Sequence, residues 1–325
     1  MAGQSVWALS ASNYQRHALH AEGCAWVEKN CYVDLWIELL HAAKLEPLAM
    51  LPFTLATDFD GEQWTFYKPP HGDMLDLYGV DVQELTIFKP LLEHCEFQAS
   101  RRRLVLTEAD AWWLPDTRGT DYRSKHTKTT IAVESIDRQA LKLGYFHNAG
   151  YYELEGEDFT QLFKPDQPVD PNALPLFAEI ADFERVDRLS ERELAERSRQ
   201  LLTRWLKRAP KTNPFERFGQ HLASELETLR ARGLAYYHAF AFATIRQAGS
   251  GFELSAAYLR WLEAQRAGSY SEAAAAFEAI STSMKALILK GARAVNSTKP
   301  ADFSPMFQEV AAKWDEGMSL LQRQG

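Results

Sequence analysis

Apolar residues recur at helical spacing through residues 26–45, WVEKNCYVDLWIELLHAAKL. One face of the resulting helix carries Leu35, Trp36, Leu39, Leu40 and Ala43, and another carries Asp34, Glu38 and His41. Asn30 precedes this pattern and is a good N-cap, because its side-chain oxygen accepts hydrogen bonds from the first free backbone N–H groups. The pattern predicts an amphipathic helix that begins directly after Asn30.

Shorter runs rich in β-branched and aromatic residues follow in the first half of the chain and predict strands. The predicted strands are residues 53–58, 63–67, 104–114, 127–134, 141–146 and 151–154. Asp60-Gly61 marks a hairpin turn between the first two strands. Residues 75–77 and 82–93 are expected to be helical or mixed. A leading helix followed by an antiparallel sheet indicates an α+β domain.

The composition changes at residues 163–175, FKPDQPVDPNALP, where four prolines indicate a linker or an irregular crossing between domains. Helical spacing dominates beyond this segment. The predicted helices are residues 190–208, 214–232, 234–247, 253–266, 271–295 and 304–322. Few strand signals remain, so the second half is predicted to be an all-α helical bundle. We therefore expect an α+β domain over residues 1–165 and a helical domain over residues 166–325.

The composition excludes several classes of protein. The chain has 325 residues, 46% of them hydrophobic, which suffices for a sizeable core. Its net charge of −8 gives no basic field to recruit nucleic acid. No apolar run reaches the length of a membrane span, and the N-terminus lacks a secretory signal pattern, so we expect no membrane association. Three cysteines suit a reducing cytoplasm better than a disulfide framework.

Cys31 is the candidate nucleophile because it lies at the first turn of the predicted leading helix. The positive end of the helix dipole favours a thiolate at this position. The alternative is a cysteine that only fills core space, which is common in segments rich in tryptophan. Partners elsewhere in the chain must decide between the two interpretations.

His126 is the candidate general base, since it opens a predicted strand after a polar loop. If residues 127–134 and 141–146 pair as a hairpin centred on Asp137, Asn148 lies directly opposite His126 on the same face of the sheet. An asparagine carbonyl there could orient the imidazole. Asp137 is a weaker alternative for this third role, because eleven residues of extended chain place it roughly 35 Å from His126.

A metal site is a further possibility near the N-terminus. His17, His20 and Cys24 lie at spacings of three and four, and Cys31 could complete a set of four ligands. The paired short-loop spacing of structural zinc sites is absent. We therefore expect no metal and no cofactor.

These residues carry a resemblance to a known family. A cysteine at the start of a leading helix, the strand end Asp110-Ala-Trp-Trp-Leu-Pro and a histidine that opens an apolar strand resemble the N-terminal domain of butirosin biosynthesis protein H. More distantly, they are similar to double-glycine leader peptidases, which have a papain-like fold. The stretches NCYVDLWIELLH, DFDGEQWTFYKPP and LGYFHNAGYYELEGEDF also resemble an uncharacterised bacterial family that would cover nearly the whole chain.

The resemblance to the butirosin family implies a papain-like domain that acts as an acyltransferase. In that family the domain moves an aminoacyl group from a carrier-protein thioester to an amine. Carried over by position, Cys31 is the nucleophile, His126 the base and Asn148 the third member. The glutamine that leader peptidases use for the oxyanion has no clear counterpart, so Asn30 or Glu28 would line the site beside the Cys31 backbone N–H.

Three functions therefore remain open on the sequence. The first is a cysteine-dependent acyl or aminoacyl transferase with a carrier protein as donor and a small-molecule amine as acceptor. The second is a hydrolase of peptides, amides or thioesters, which would share the Cys-His-Asn site and differ only in the acceptor. The third is a non-catalytic binding module that retains the fold and uses its helical half to dock a partner.

Overall fold

Helix α1 spans Cys31–Ala42 and begins where the sequence predicts. The Asn30 side-chain oxygen accepts hydrogen bonds from the backbone N–H groups of Tyr32 and Val33, at 3.2 and 2.9 Å. The structure is a computed structural model that describes residues 3–164 and 176–324. Most of the predicted linker therefore lies outside the described residues.

The polar face of the helix is mostly buried rather than exposed to solvent, which corrects the expectation for Asp34 and Glu38. Asp34 and Glu38 are as completely buried as Leu35 on the apolar face. They are buried because His20, from the segment that precedes the helix, lies between their carboxylates. A buried charge is tolerated only when it is paired in this way.

Seven strands form a sheet that pairs in an antiparallel sense throughout the described residues. They are β1 (Gln4–Ser5), β2 (Asp81–Glu84), β3 (Leu104–Asp110), β4 (Lys128–Asp137), β5 (Lys142–His147), β6 (Gly150–Glu155) and β7 (Ala178–Asp182). The order across the sheet is β2-β7-β3-β4-β5-β6, and β1 pairs with the far end of β4. The three predicted strands in the region of residues 127–154 are confirmed as β4, β5 and β6.

Three strand predictions are wrong. Residues 63–67 do not form a strand, and the turn at Asp60-Gly61 joins only an isolated bridge between Phe59 and Trp64. Residues 53–58 do not form a strand, because most of them belong to a 3-10 helix at Pro47–Ala56. Its run of buried apolar residues resembles a core strand in sequence, while the Thr54 hydroxyl donates to the Leu51 carbonyl and stabilises a tight turn. Strand β7 was missed beyond the linker, where only helices were expected, because Ala, Glu and Asp are poor strand formers.

One face of the sheet is covered by two short helices. These are α3 (Leu91–Ser100) and α4 (Glu157–Phe163); a further helix, α2, spans His71–Tyr78. Cys95 of α3 and Phe159 of α4 share a hydrophobic core with Val133 of β4. Because side chains alternate along a strand, Thr130 and Ala132 point to the opposite face, where α1 packs against β4, β5 and β6.

The chain divides into two compact units, and each unit is built from three separate segments of the sequence. Unit 1 comprises Met1–Ala21, Asn30–Pro47 and Pro70–Arg188, and contains α1 to α4 and the sheet. Unit 2 comprises Glu22–Lys29, Leu48–Pro69 and Leu189–Gly325.

Unit 2 is a helical bundle. Its helices are α5 (Glu191–Leu206), α6 (Pro214–Arg232), α7 (Leu234–Ala243), α8 (Ile245–Ala264), α9 (Ser271–Val295) and α10 (Ser304–Gln322). The predicted bounds of α6 and α9 are confirmed. The two early segments of unit 2 pack on this bundle: Trp26 donates to Ser281, and Trp64 packs on Phe215. Among the described residues, the helices are all too short or too polar to cross a membrane.

Candidate active site

Cys31 is the first residue of α1, and its thiol contacts Thr130 of β4. Burial raises the pKa of the Cys31 thiol, and the nearby carboxylate of Asp34 acts in the same direction. Hydrogen bonds from Thr130 and the positive charge of Lys128 oppose this rise without overcoming it. The helix dipole favours a thiolate at this position, whereas burial shifts the pKa of the Cys31 thiol in the opposite direction.

His126 lies just before β4 and is held by two neighbours. Its Nδ1 atom is 2.6 Å from Oδ2 of Asp110, and its ring stacks on Trp112 with the centroids 4.5 Å apart. The side chain is 68% exposed, so the imidazole is accessible to a substrate. A carboxylate on Nδ1 leaves Nε2 as the atom that can accept a proton, which is the arrangement of a general base and its orienting group.

The residue that contacts the Cys31 thiol, Thr130, and the candidate base, His126, lie on the same side of the sheet. Thr130 lies opposite Glu108, and Lys128 lies opposite Asp110, in the β3–β4 pair. The pairing continues one step further, because Ala111 N–H donates to the Thr127 carbonyl. His126 and Thr130 therefore project to one face, four residues apart, which is about 13 Å along an extended chain. No contact between Cys31 and His126 is present among the described residues, and Lys128 lies between them along the strand.

Asn148 is not the partner of His126, because the register of the β4–β5 hairpin differs from the predicted one. Ile131 lies opposite His147, so the same register would place Asn148 opposite Thr130. The turn is centred beyond Asp137, and an irregularity between Val133 and Ser135 then changes the pairing by one residue. Asn148 itself occupies the β5–β6 turn with a φ of 43°.

The remaining predicted site residues have clear structural roles. Asp137 caps the β4–β5 turn, where its Oδ1 accepts from the N–H groups of Gln139 and Ala140 at 3.0 Å each. The Asn30 oxygen is occupied as the helix cap. The Glu28 carbonyl accepts from Arg246 at 2.8 Å within unit 2, and the Glu28 carboxylate lies 3.8 Å from the same guanidinium.

The histidines near the N-terminus do not gather into a metal site. Both ring nitrogens of His20 are engaged, one with Glu38 and one with Asp34 at 3.0 Å. The Nδ1 atom of His17 accepts from the backbone N–H of Leu19. The part of the chain that the structure describes contains no group of three or more His, Cys, Asp or Glu side chains placed to hold a metal ion.

Two polar clusters were not predicted from the sequence. On the α1 side of the sheet, Glu179 of β7 is 1% exposed and accepts from the Tyr32 hydroxyl, and its Oε2 lies 3.2 Å from Nε2 of His71. On the opposite face, the Asp116 carboxylate accepts a hydrogen bond from the Tyr145 hydroxyl and is hydrogen-bonded to Nδ1 of His147. An isolated acid such as Glu179 in an apolar strand is the signal that could have found the first cluster.

A cavity of about 370 Å³ adjoins the His126–Asp110 pair. Its apolar lining comes from the ends of α3 and α4 and from β3 and β4, and includes Leu91, Ala109, Ile131, Leu162 and Phe163. Lys128 and Glu108, which are paired at 2.9 Å, also line it. A partly apolar cavity beside an accessible acid–base pair is the common form of a small-molecule site.

Comparison with known families covers both parts of the chain. Residues 15–183 match the DUF1839 N-terminal domain, and residues 191–323 match the DUF1839 C-terminal domain. The first match extends past β7, whose strand completes the sheet of unit 1. No curated protein matches the chain. Since the first match alone covers more than half of the sequence, the chain belongs to the DUF1839 family.

Proposed function

We propose that the sheet face beneath the start of α1 is the active site of a cysteine-dependent acyl or aminoacyl transferase. One observation carries the proposal. Thr130 of β4, which bonds the Cys31 thiol, and His126, which lies two residues before β4 and is held on Asp110, project to the same side of the sheet. The resemblance of roughly residues 15–165 to the N-terminal domain of butirosin biosynthesis protein H, and hence to papain-like enzymes, supports this chemistry.

In the proposed reaction, His126 takes the proton from Cys31, and the sulfur attacks the carbonyl of a carrier-protein thioester. The thioester C–S bond breaks, the carrier thiol leaves with that proton, and the acyl group stays on Cys31. An amine then attacks the acyl-enzyme, the new C–N bond forms, and the Cys31 thiol is restored. Asp110 takes the orienting role that the sequence assigned to Asn148. Water in place of the amine would make the protein a hydrolase.

The proton transfer requires His126 to approach α1 from its resting position. Burial keeps the thiol protonated at rest, since it raises the pKa of Cys31, so the nucleophile depends on a base. His126 lies two residues before β4 and its side chain is mostly exposed, so the movement that the proposed reaction requires is a shift of the residues that precede this strand.

The second candidate is a non-catalytic binding module. It is favoured by the raised pKa of Cys31 and by the separation of about 13 Å along the strand between His126 and the residue that contacts the thiol. In this alternative the cavity beside His126 binds a ligand without covalent chemistry.

Acyl transfer from a simple pantetheine thioester would decide between the two candidates. The protein is incubated with the acyl-pantetheine, and modified peptides are identified by mass spectrometry. We expect an acyl group on Cys31, none in Cys31→Ser, and a rate lower by a factor of about 10² or more in His126→Ala, which is the usual effect of losing a general base. Asp110→Asn should also slow acylation.

Cys24 is the internal control, because it is another partly exposed cysteine in the same chain. His41→Ala is the matched control variant, because it removes a partly exposed histidine at the far end of α1. Acylation that survives Cys31→Ser would exclude the transferase and the hydrolase together. If Cys24 and Cys31 are acylated at equal rates, and His126→Ala does not change these rates, the non-catalytic binding module is the remaining candidate.

A further inference from the structure

Helix α7 of unit 2 reverses the usual pattern of a surface helix. Its ten residues, LAYYHAFAFA, include no Asp, Glu, Lys or Arg. Seven of the ten are exposed, and only Tyr237 and Ala241 are buried. A surface helix ordinarily buries its apolar stripe and turns charged residues to water. Here the exposed arc is the apolar one, so α7 presents a surface that lacks a partner within its own unit.

Exposed apolar side chains lie on α7 and on α9, which contacts α7. Phe242 is 63% exposed, Leu234 41% and Tyr236 40%. The buried Tyr237 hydroxyl donates to the Ile288 carbonyl of α9 at 2.8 Å, and the next residue, Leu289, is 63% exposed. We call the four side chains Leu234, Tyr236, Phe242 and Leu289 the apolar ridge.

Cations surround the apolar ridge in a chain whose net charge is −8. Residues 228–252 and 279–301 contain no Asp or Glu. They contain seven basic residues, namely Arg230, Arg232, Arg246, Lys285, Lys290, Arg293 and Lys299.

Two of these arginines contact the ridge itself. Arg232 lies over the Tyr236 ring at 4.5 Å, and Arg246 lies over the Phe242 ring at 4.5 Å. Arg246 is partly balanced by Glu28 at 3.8 Å, and Arg230 is paired with Glu227 at 2.6 Å, so Arg232, Lys290, Arg293 and Lys299 supply most of the excess. The ridge therefore combines exposed aromatic and aliphatic groups with a local excess of positive charge.

We propose that the apolar ridge docks on an anionic lipid surface. This is a peripheral contact that needs no spanning helix, and it departs from the sequence-based expectation of no membrane association. Helix α7 is exposed around most of its circumference, so it forms a ridge rather than a groove, and a fluid surface can conform to it. Phe, Tyr and Leu would enter the headgroup boundary while the flanking arginines and lysines meet lipid phosphates. A second copy of the same surface fits poorly, because a two-fold contact would bring the seven cations together. The proposal does not depend on the proposed acyl transfer.

Sedimentation with lipid vesicles tests the proposal on the full chain. Phosphatidylcholine vesicles are compared with vesicles that also contain phosphatidylglycerol. We expect binding only to the anionic vesicles at low salt, and weaker binding as the salt concentration rises. The double variant Phe242→Ser/Leu289→Ser should lose binding by about tenfold or more, since it removes two side chains that would be buried in the headgroup boundary. Lys290→Gln and Arg293→Gln should each weaken it about fivefold, from roughly 1 kcal/mol per cation near an anionic surface.

Matched controls lie outside the ridge. Phe88→Ser removes an 81% exposed phenylalanine of unit 1, and Lys313→Gln removes a lysine of α10. Neither should change sedimentation. If the protein stays in solution with anionic vesicles at low salt, the lipid assignment fails and an acidic protein becomes the occupant to test. If the ridge variants instead abolish a concentration-dependent dimer measured by light scattering, without any vesicle binding in the parent protein, the ridge is a self-association surface and the proposal is wrong.

Discussion

A cluster of buried charged side chains in unit 1 affects the pKa of the candidate nucleophile, Cys31. Asp34 and Glu38 lie one and two turns after Cys31 on α1, and both are completely buried. His20 joins their carboxylates, and Tyr14 donates to Glu38 at 2.6 Å. The cluster fixes the segment before α1 against the helix. It also places the carboxylate of Asp34 near the thiol, where its charge raises the pKa of Cys31. A structural ion cluster therefore contributes to the low thiolate fraction at the candidate site.

Removing His20 should destabilise the protein strongly. His20→Ala leaves two carboxylates buried without their cation, and breaking a buried pair in this way costs about 3–5 kcal/mol. Chemical denaturation followed by tryptophan fluorescence would measure the loss. His41→Ala is the control, because the His41 ring is partly exposed, hydrogen-bonds the neutral Gln15 carbonyl and contacts only the rings of Tyr14 and His17 among the aromatic groups described for it. A loss below about 1 kcal/mol in His20→Ala would show that the cluster does not hold the fold.

The pH dependence of stability should carry the signature of the same cluster. Burial alone would lower the pKa of His20, but Asp34 and Glu38 raise it above its ordinary value of 6.5. Burial would raise the pKa of Glu38, but His20 lowers it below its ordinary value of 4.5. The free energy of unfolding should therefore fall as pH rises above 6.5 through the folded pKa of His20, and fall again as pH drops below 4.5. His20→Ala should abolish the decline on the alkaline side, and an unchanged profile would contradict the assignment.

At the scale of elements, local sequence signals were sufficient to predict where some helices begin and end. They were not sufficient to predict how distant strands pair. The cap at Asn30 and the bounds of α6 and α9 follow from capping residues and periodicity, which act within a few residues. The identity of strands β4 to β6 was also predictable. Their register was not, because the length of the turn after Asp137 and an irregularity in β4 set it. The partner of His126 lies on β3, so it depends on a pairing that no local pattern encodes.

The cap at the start of α1 should contribute measurably to stability. Asn30→Ala removes two hydrogen bonds to the backbone N–H groups of Tyr32 and Val33 and should cost about 1 kcal/mol. Asn30→Asp is the matched control, because it keeps an oxygen in the same place and adds a charge that the helix dipole favours. Urea denaturation of the three proteins gives the comparison. Equal stability of Asn30→Ala and the parent protein would show that α1 is held by packing alone.

At the scale of the whole chain, sequence order and structural units do not coincide. Helix α1 belongs to unit 1, whereas the segments on both of its flanks, Glu22–Lys29 and Leu48–Pro69, belong to unit 2. Strand β7 lies beyond the proline-rich segment yet pairs between β2 and β3. A boundary at residue 165, the one expected from composition, would separate β7 from its neighbours. Composition detects a local change in residue types, but long-range strand pairing decides which structural unit each element joins.

Hydrogen exchange can test whether residues 48–69 open together with the helices of unit 2. Phe218 of α6 is fully buried and packs on Phe59 and Trp64, so Phe218→Ala should cost about 3–5 kcal/mol. We expect exchange measured by mass spectrometry to accelerate in residues 48–69 and in α6 more than in β3 to β5. Phe159→Ala is the matched variant, because it opens an equally buried site in the core of unit 1 and should have the opposite pattern. If residues 48–69 respond to Phe159→Ala rather than Phe218→Ala, they belong with the sheet, and the interleaved division of the chain is wrong.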